Sequence, residues 1–482
     1  MKDLKEKTIR GGVARLAGCA ARSLVRLGTI IVLARLLDPS DFGLVVMVTV
    51  LTGVFEIFAT GGLSVATVQK LEISDAEIST LFWCNIAIGA LLCLLCIAAA
   101  PALSAFYHEP KTALVMVTIA PAFVINATGV QHLALLQRHL RYVTLSAIEV
   151  GSEIVAAAVA IGMAIAGFGY WAVVASVITG PLVITIGAWA ASGWIPGRPR
   201  NVGDVSTMLR FGGTITLNNL VVYAAYNFEK VLLGRYFGPE ALGLYGRAYE
   251  LINLPTRIIN TAIGVVAFSS LARLQSEPAR LKSYFLKGYS LAVSVTLPAT
   301  IACAAFADDI VLVMLGPKWT DAATIFRLLA PTILVFSMIN PLSWLLWAIG
   351  MQGRSLKLAL VLSPLVICSY LLGLPYGPNG VALAFSIAMV LWLGPHLIWC
   401  LHGTTISVRE LLSAASRPLL SGVVAAMIVV IVQHFVAPIP LPILRLAIGA
   451  TAMLAVYVFT LLFVMKQSIF YFDMLRSLKG AS

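Results

Sequence analysis

The sequence predicts an all-α polytopic membrane protein of about fourteen transmembrane helices, built as two parallel-repeat six-helix lobes plus two C-terminal helices. Three observations predict it. The 482 residues are 60% hydrophobic and 11% charged, with a mean hydropathy of +0.95, whereas a soluble domain carries about 25% charged residues. Apolar runs long enough to cross a bilayer recur along the whole length, without the short alternating strands of a membrane β-barrel. A stretch near residue 40 also returns near residue 240.

The spans are placed at 12–37, 41–66, 79–106, 112–135, 142–166, 168–191, 208–236, 241–270, 283–307, 321–349, 355–375, 378–401, 411–435 and 443–465. The first carries Arg15, Arg22 and Arg26. Steps of seven and four residues keep all three on one helical face. At about 1.5 Å per residue, Arg22 and Arg26 lie about 15 and 21 Å into the membrane. An arginine at that depth costs about 2.5 to 3.5 kcal/mol, so the stripe should face a wet or anion-filled interior rather than lipid.

The repeat lies in the turns after spans one and seven. Residues 33–45, LARLLDPSDFGLV, and 233–245, LGRYFGPEALGLY, share Leu33/Leu233, Arg35/Arg235, Pro39/Pro239, Gly43/Gly243 and Leu44/Leu244 at one constant offset. Pro110-Lys111 through Ala120-Pro121 is echoed by Pro317-Lys318 through Ala330-Pro331. Six spans separate the copies, so both units have the same orientation, as in a parallel duplication. The expected domains are an N-lobe at 1–200, a C-lobe at 201–402, and 403–482 with the last two helices and a tail. Residues 192–205, SGWIPGRPRNVGDV, form the Pro- and Gly-rich linker between lobes.

The net charge of +12 does not indicate nucleic acid. Counted by loop, 21 Lys and Arg fall on the side of the N-terminus and 5 on the other. That asymmetry puts both termini in the cytoplasm. The seven cysteines all lie in apolar spans, and Cys93-x-x-Cys96 reads as small apolar helix residues rather than a redox or metal site. The short loops leave no room for a soluble catalytic domain, and no nucleophile or metal constellation is present, so the chain is not expected to be an enzyme.

Further charges within the spans mark candidate sites. Glu56 lies mid-span in span two, where it could pair with the arginines. Glu149 and Glu153 lie four apart on one face of span five, and in low dielectric the pair resists ionising together, which suits proton coupling. Asn218, Asn219, Glu229 and Lys230 lie in span seven as sugar or lobe-gate candidates. Arg247 and Arg257 lie in span eight, where Pro255 is expected to kink the helix. Guanidinium matches phosphate bidentately, and a lipid diphosphate is an anion that reaches this depth while its tail stays in the bilayer.

TIRGGVARLAGCAARSLVRLGTIIVLARLLDPSDFGLVVMVTVL at the start, GGLSVATVQK at 61–70 and LLGRYFGPEALGLYGRAYELINLP at 232–255 resemble the polysaccharide transporters. These are the Wzx-type oligosaccharide flippases of the MOP superfamily, here the WzxC-like, colanic-acid-exporter branch. The resemblance covers about residues 1–470. It implies a MATE-like fold with a cationic cavity and transfer of undecaprenyl-diphosphate-linked repeat units from the inner to the outer leaflet of the bacterial inner membrane. It also implies that Arg15, Arg22 and Arg26 match first-helix arginines of related flippases. The family often has an acidic residue before Gly-Leu-Ser in the second span, where this chain has Thr60-Gly61-Gly62-Leu63-Ser64. The full expectation is alternating access by a monomer, with no cofactor and with proton or sodium coupling open. Polysaccharide polymerase and export machinery are the candidate partners. A multidrug extruder of the same superfamily and a membrane polymerase or ligase are the alternatives.

Overall fold

The computed structural model describes residues 2–59, 67–68, 73–199, 205–469 and 471. The Thr60–Ser64 element therefore lies outside the described residues. Among those described, every regular element is helical. Eleven stretches are long and apolar enough to cross a membrane, and one of them, Gly353–Leu401, contains two helices. By its packing the chain divides into two units, Met1–Gly246 and Arg247–Ser482.

The first unit holds α1 (Lys2–Leu36), α2 (Pro39–Ala59), α3 (Asp75–Tyr107), α4 (Lys111–Ile119), α5 (Pro121–Arg138), α6 (Tyr142–Ile165), α7 (Tyr170–Ser192) and the first limb of α8 (Val205–Arg273). Helix α3 starts with a capping box: the Ser74 hydroxyl accepts from the Glu77 backbone while the Glu77 carboxylate accepts from the Ser74 N–H. The expected span 112–135 is two helices, α4 and α5, divided at Ala120–Pro121 because proline has no N–H to continue the ladder. Helix α6 packs on both α1 and α7, and α5 lies between α7 and α3. Arg141 closes the α6–α7 pair by donating to the Ala191 carbonyl near the end of α7 at 2.7 Å, supplying a partner to one of the orphaned C-terminal carbonyls.

Expected spans seven and eight are the two limbs of α8, which meet in a kink at Gly238, φ 80°, ψ −174°. Glycine is the residue that reaches this region without a β-carbon clash. Pro255, expected to kink the second limb, keeps helical dihedral angles, as membrane helices allow. The repeated turn elements meet here. A methyl group on Gly43 would collide with the Pro239 carbonyl, and one on Gly243 with the Pro39 carbonyl. The two copies thus touch reciprocally, backbone against backbone.

The second unit continues from Arg247 through α9 (Pro278–Ala305), α10 (Ala307–Met314), α11 (Ala322–Leu329), α12 (Pro331–Ala348), α13 (Gln352–Gly373), α14 (Gly377–Leu401), α15 (Val408–Val436) and α16 (Pro442–Phe459). Its Ala330–Pro331 step separates α11 from α12 as Ala120–Pro121 separates α4 from α5. Helix α9 packs against α12 and α15, and α16 closes on α15. Leu297, Phe306, Ala425, Val429, Met453, Tyr457 and Leu461 form a buried cluster there. Arg354 donates to the carbonyls of Cys400, at 3.2 Å, and His402, so α14 ends on an arginine just as α7 does.

Candidate functional site

Helix α1 carries a basic stripe and α6 an acidic one, and they face each other. Arg15 Nη1 donates to Glu149 Oε1 at 2.6 Å. Arg22 Nη1 donates to the other oxygen, Oε2, at 3.4 Å. Arg22 Nε lies 3.6 Å from Glu153 Oε2, an ion pair rather than a hydrogen bond. Glu149 therefore bridges two arginines, and the pairing climbs both helices in the same direction.

Gly18, one turn from Arg15 and one from Arg22 on the same face, sets the distance. A β-carbon there would fall 2.6 Å from the Ser146 β-carbon, so the missing side chain lets α1 and α6 approach closely enough for the Arg15–Glu149 bond. Small residues serve this purpose throughout membrane helix packing.

Exposure is uneven across the ladder. The Arg15 and Arg22 side chains are each 44% exposed, while Glu149 is 19% and Glu153 27% exposed. The acids sit tucked between the helices and the guanidiniums keep an open side. Arg26, half-buried, lies one turn beyond Arg22. Along this stretch three positive charges face two negative ones, and an anion arriving from the open side meets guanidinium first.

The other sequence-predicted residues lie elsewhere. Glu56 is exposed on α2. Tyr223, which the sequence did not single out, lies within electrostatic reach of Glu56 and Glu229. Its hydroxyl donates to the Val50 carbonyl at 3.1 Å, and its ring end occupies the space over Gly53. Gly53, which leaves room for that ring, is the one small residue of the sequence that marks the approach. Glu229 is fully buried, and Lys230 Nζ donates to Asn227 Oδ1 at 2.6 Å. Asn218 and Asn219 lie on α8, with side chains outside the described residues. In the second unit, Arg247 bonds Glu250 one turn along α8, and Arg257 is exposed.

Comparison with known proteins follows the same direction. A family model described as "Polysaccharide biosynthesis protein" matches residues 32–324. The lipopolysaccharide biosynthesis protein WzxC of Escherichia coli (strain K12) is 26% identical over 397 residues, covering 80% of each chain. The succinoglycan biosynthesis transport protein ExoT of Rhizobium meliloti (strain 1021) is 22% identical over 456 residues, covering 94% of this chain and 92% of ExoT. Among solved structures, the lipid II flippase MurJ in an inward closed conformation matches with a TM-score of 0.76 at 13% identity, over 96% of this chain and 100% of that one. That likeness is one of fold.

Proposed function

Because the chain belongs to the polysaccharide biosynthesis protein family, we propose that it is a flippase carrying undecaprenyl-diphosphate-linked oligosaccharide repeat units from the inner to the outer leaflet of the bacterial inner membrane. The observation that carries this reading is the Arg15–Arg22–Glu149–Glu153 ladder, a cationic face at membrane depth with its acids set behind it. The names of the relatives, biosynthesis of lipopolysaccharide and transport in succinoglycan biosynthesis, supply the substrate class.

In this reading the diphosphate takes over guanidinium contacts that Glu149 and Glu153 hold in its absence. Arg22 and Arg26 grip the phosphate oxygens, with Arg15 at the entrance, and bidentate geometry gives the grip direction. Glu149 and Glu153, once released from their arginines, are the groups that couple substrate binding to proton or sodium movement. Glu56 with Tyr223, Arg247 with Arg257, and Asn218, Asn219, Glu229 and Lys230 supply further cavity and sugar contacts. Fourteen spans, lobes at 1–200 and 201–402, the helices of 403–482 and cytoplasmic termini complete the arrangement, and the lobes rock about the cavity in alternating access. The protein acts as a monomer beside polymerase and export partners. The multidrug-extruder alternative is less supported, since a cavity for organic cations calls for net acid where α1 places arginines.

The test is flipping of a labelled undecaprenyl-diphosphate oligosaccharide in reconstituted vesicles. Wild type should flip, and the Arg22→Ala/Arg26→Ala double variant should fall by at least about 100-fold, the size of two charge-assisted hydrogen bonds. Equal flipping by both would move the diphosphate site away from α1.

A further inference from the structure

At the end of the first unit where α5 turns into α6 and α7 runs out into residues 193–199, a cavity of about 220 Å³ is lined by Asp75, Arg138, His139, Arg141, Ser192 and Trp194 over an apolar floor that includes Leu135 and Leu136. It shares no residue with the α1–α6 ladder. Its volume is below the roughly 300–1,000 Å³ of drug-sized ligand pockets, so it suits a single anionic group rather than a repeat unit or a nucleotide sugar.

The pocket is built rigidly. Arg138, His139 and Arg141 come from one tight corner, and Leu140 within it takes the left-handed conformation, φ 55°. A branched L-residue adopts that conformation at a cost, and such strain collects where a site needs it. The corner sets two guanidiniums on one pocket, and each is anchored to backbone. Arg138 Nη1 donates to the Thr67 carbonyl at 2.9 Å and Arg141 Nη1 to the Ala191 carbonyl at 2.7 Å. Beyond the lining, the segment that carries Trp194 is tied to α3. Gly197 N–H donates to Ser79 Oγ at 2.9 Å, and Trp83 Nε1 donates to the Gly197 carbonyl at 2.9 Å. Trp194 packs edge-on against His132 and Phe82, with centroids 5.2 and 6.0 Å away, while His132 Nδ1 meets Ser192 Oγ at 2.8 Å.

Two arginines face one aspartate in this pocket, leaving it net positive. Charges that served only to orient the chain in the membrane would need neither a shaped cavity nor a strained corner. We infer that this pocket binds a phosphate-ester anion, supplied either by the headgroup of an anionic phospholipid or by a small soluble phosphate. Trp194 beside it is the residue type that settles at headgroup level. Fixed guanidiniums lose little entropy on meeting a phosphate, which is where preorganised sites gain affinity.

The experiment uses the full-length protein in detergent, with retained lipid read by native mass spectrometry. Phosphatidylglycerol and phosphatidylcholine are the lipid probes, and glycerol 3-phosphate without added lipid is the soluble one. Wild type should retain phosphatidylglycerol over phosphatidylcholine. Arg138→Gln/Arg141→Gln should weaken that retention by about tenfold or more, the size of one charge-assisted hydrogen bond. Asp75→Asn should strengthen it, a gain that misfolding cannot produce. Binding of glycerol 3-phosphate that follows the same order of variants, with phosphatidylglycerol indifferent to them, would support the pocket and assign it the soluble ligand. Retention of both probes unchanged by all the pocket variants would overturn the inference. Should the double variant fail to fold, unchanged binding in Asp75→Asn alone would overturn it.

Discussion

One helix pair from each unit shows two different ways of joining polar side chains. Between α1 and α6 the first unit joins guanidinium to carboxylate. Between α9 and α12 the second unit joins hydroxyl to hydroxyl: Thr296 Oγ1 donates to Ser337 Oγ at 2.7 Å. The second unit extends that neutral pattern outward, with Ser294 Oγ 2.5 Å from the Tyr471 hydroxyl and the Tyr457 hydroxyl donating to the Ser294 carbonyl at 3.0 Å. Its charged pairs include Arg247–Glu250 near its start, Lys282–Glu410 between α9 and α15, Asp308–Arg327 between α10 and α11, and Asp309–Arg445 between α10 and α16. A neutral hydroxyl pair holds helices together without a large desolvation cost, whereas an ion pair must recover the cost of drying two charges. Where a membrane protein keeps the costly kind although the cheap kind would pack as well, the charge itself is in use.

The largest expected effect comes from Gly43→Leu, which breaks the first unit at its reciprocal turn. The colliding atoms are backbone and cannot swing away, so the loss should exceed the roughly 1–3 kcal/mol of ordinary overpacking. Thermal unfolding and yield of the detergent-purified protein would measure it. Arg22→Lys comes next. It keeps the charge and removes the fork that grips two oxygens at once. Flipping in vesicles should fall about tenfold, equal to about 1.4 kcal/mol, with the unfolding temperature unchanged. A double-mutant cycle on Arg15→Gln and Glu149→Gln should return a coupling of about 0.5–1 kcal/mol in unfolding free energy, modest because Arg15 is 44% exposed and its partner is screened. The smallest effect belongs to the second unit. Ser337→Ala should cost about 0.5–1 kcal/mol in stability and leave flipping unchanged, since the Thr296 hydroxyl can turn its proton to the Ala292 carbonyl 2.7 Å away. A flipping defect in Ser337→Ala as large as that of Arg22→Lys would erase the contrast between the units.

Much of this was legible in the residues. Apolar run length located the helices because lipid leaves a spanning backbone no other way to satisfy its polar groups. The turn repeat and the Arg15–Arg22–Arg26 stripe were visible because offset and helical spacing are properties of the chain alone. What stayed hidden was partnership between distant segments. Nothing local in Glu149 tells that it bridges Arg15 and Arg22 from 134 and 127 residues away, and Gly18 reads as an ordinary small residue until Ser146 is seen against it. The break at Gly238 falls in the gap placed between the expected spans 208–236 and 241–270, because the turn element repeated there is itself a property of the chain. The arginine corner at 138–141 looked like positive-inside charge, since a cavity is made of several segments and no single one displays it.

The contact of Pro39 and Gly43 with Pro239 and Gly243 has the form of a homodimer interface folded into one chain. Each copy offers the other the same patch, glycine to proline carbonyl in both directions, which is the mark of an isologous association. Two separate polypeptides meeting through that patch would have met about a twofold axis, and joining their ends would have preserved the contact unchanged. Since each glycine answers a carbonyl in the opposite copy, a substitution in either half is felt by both, and the two turns can change only together.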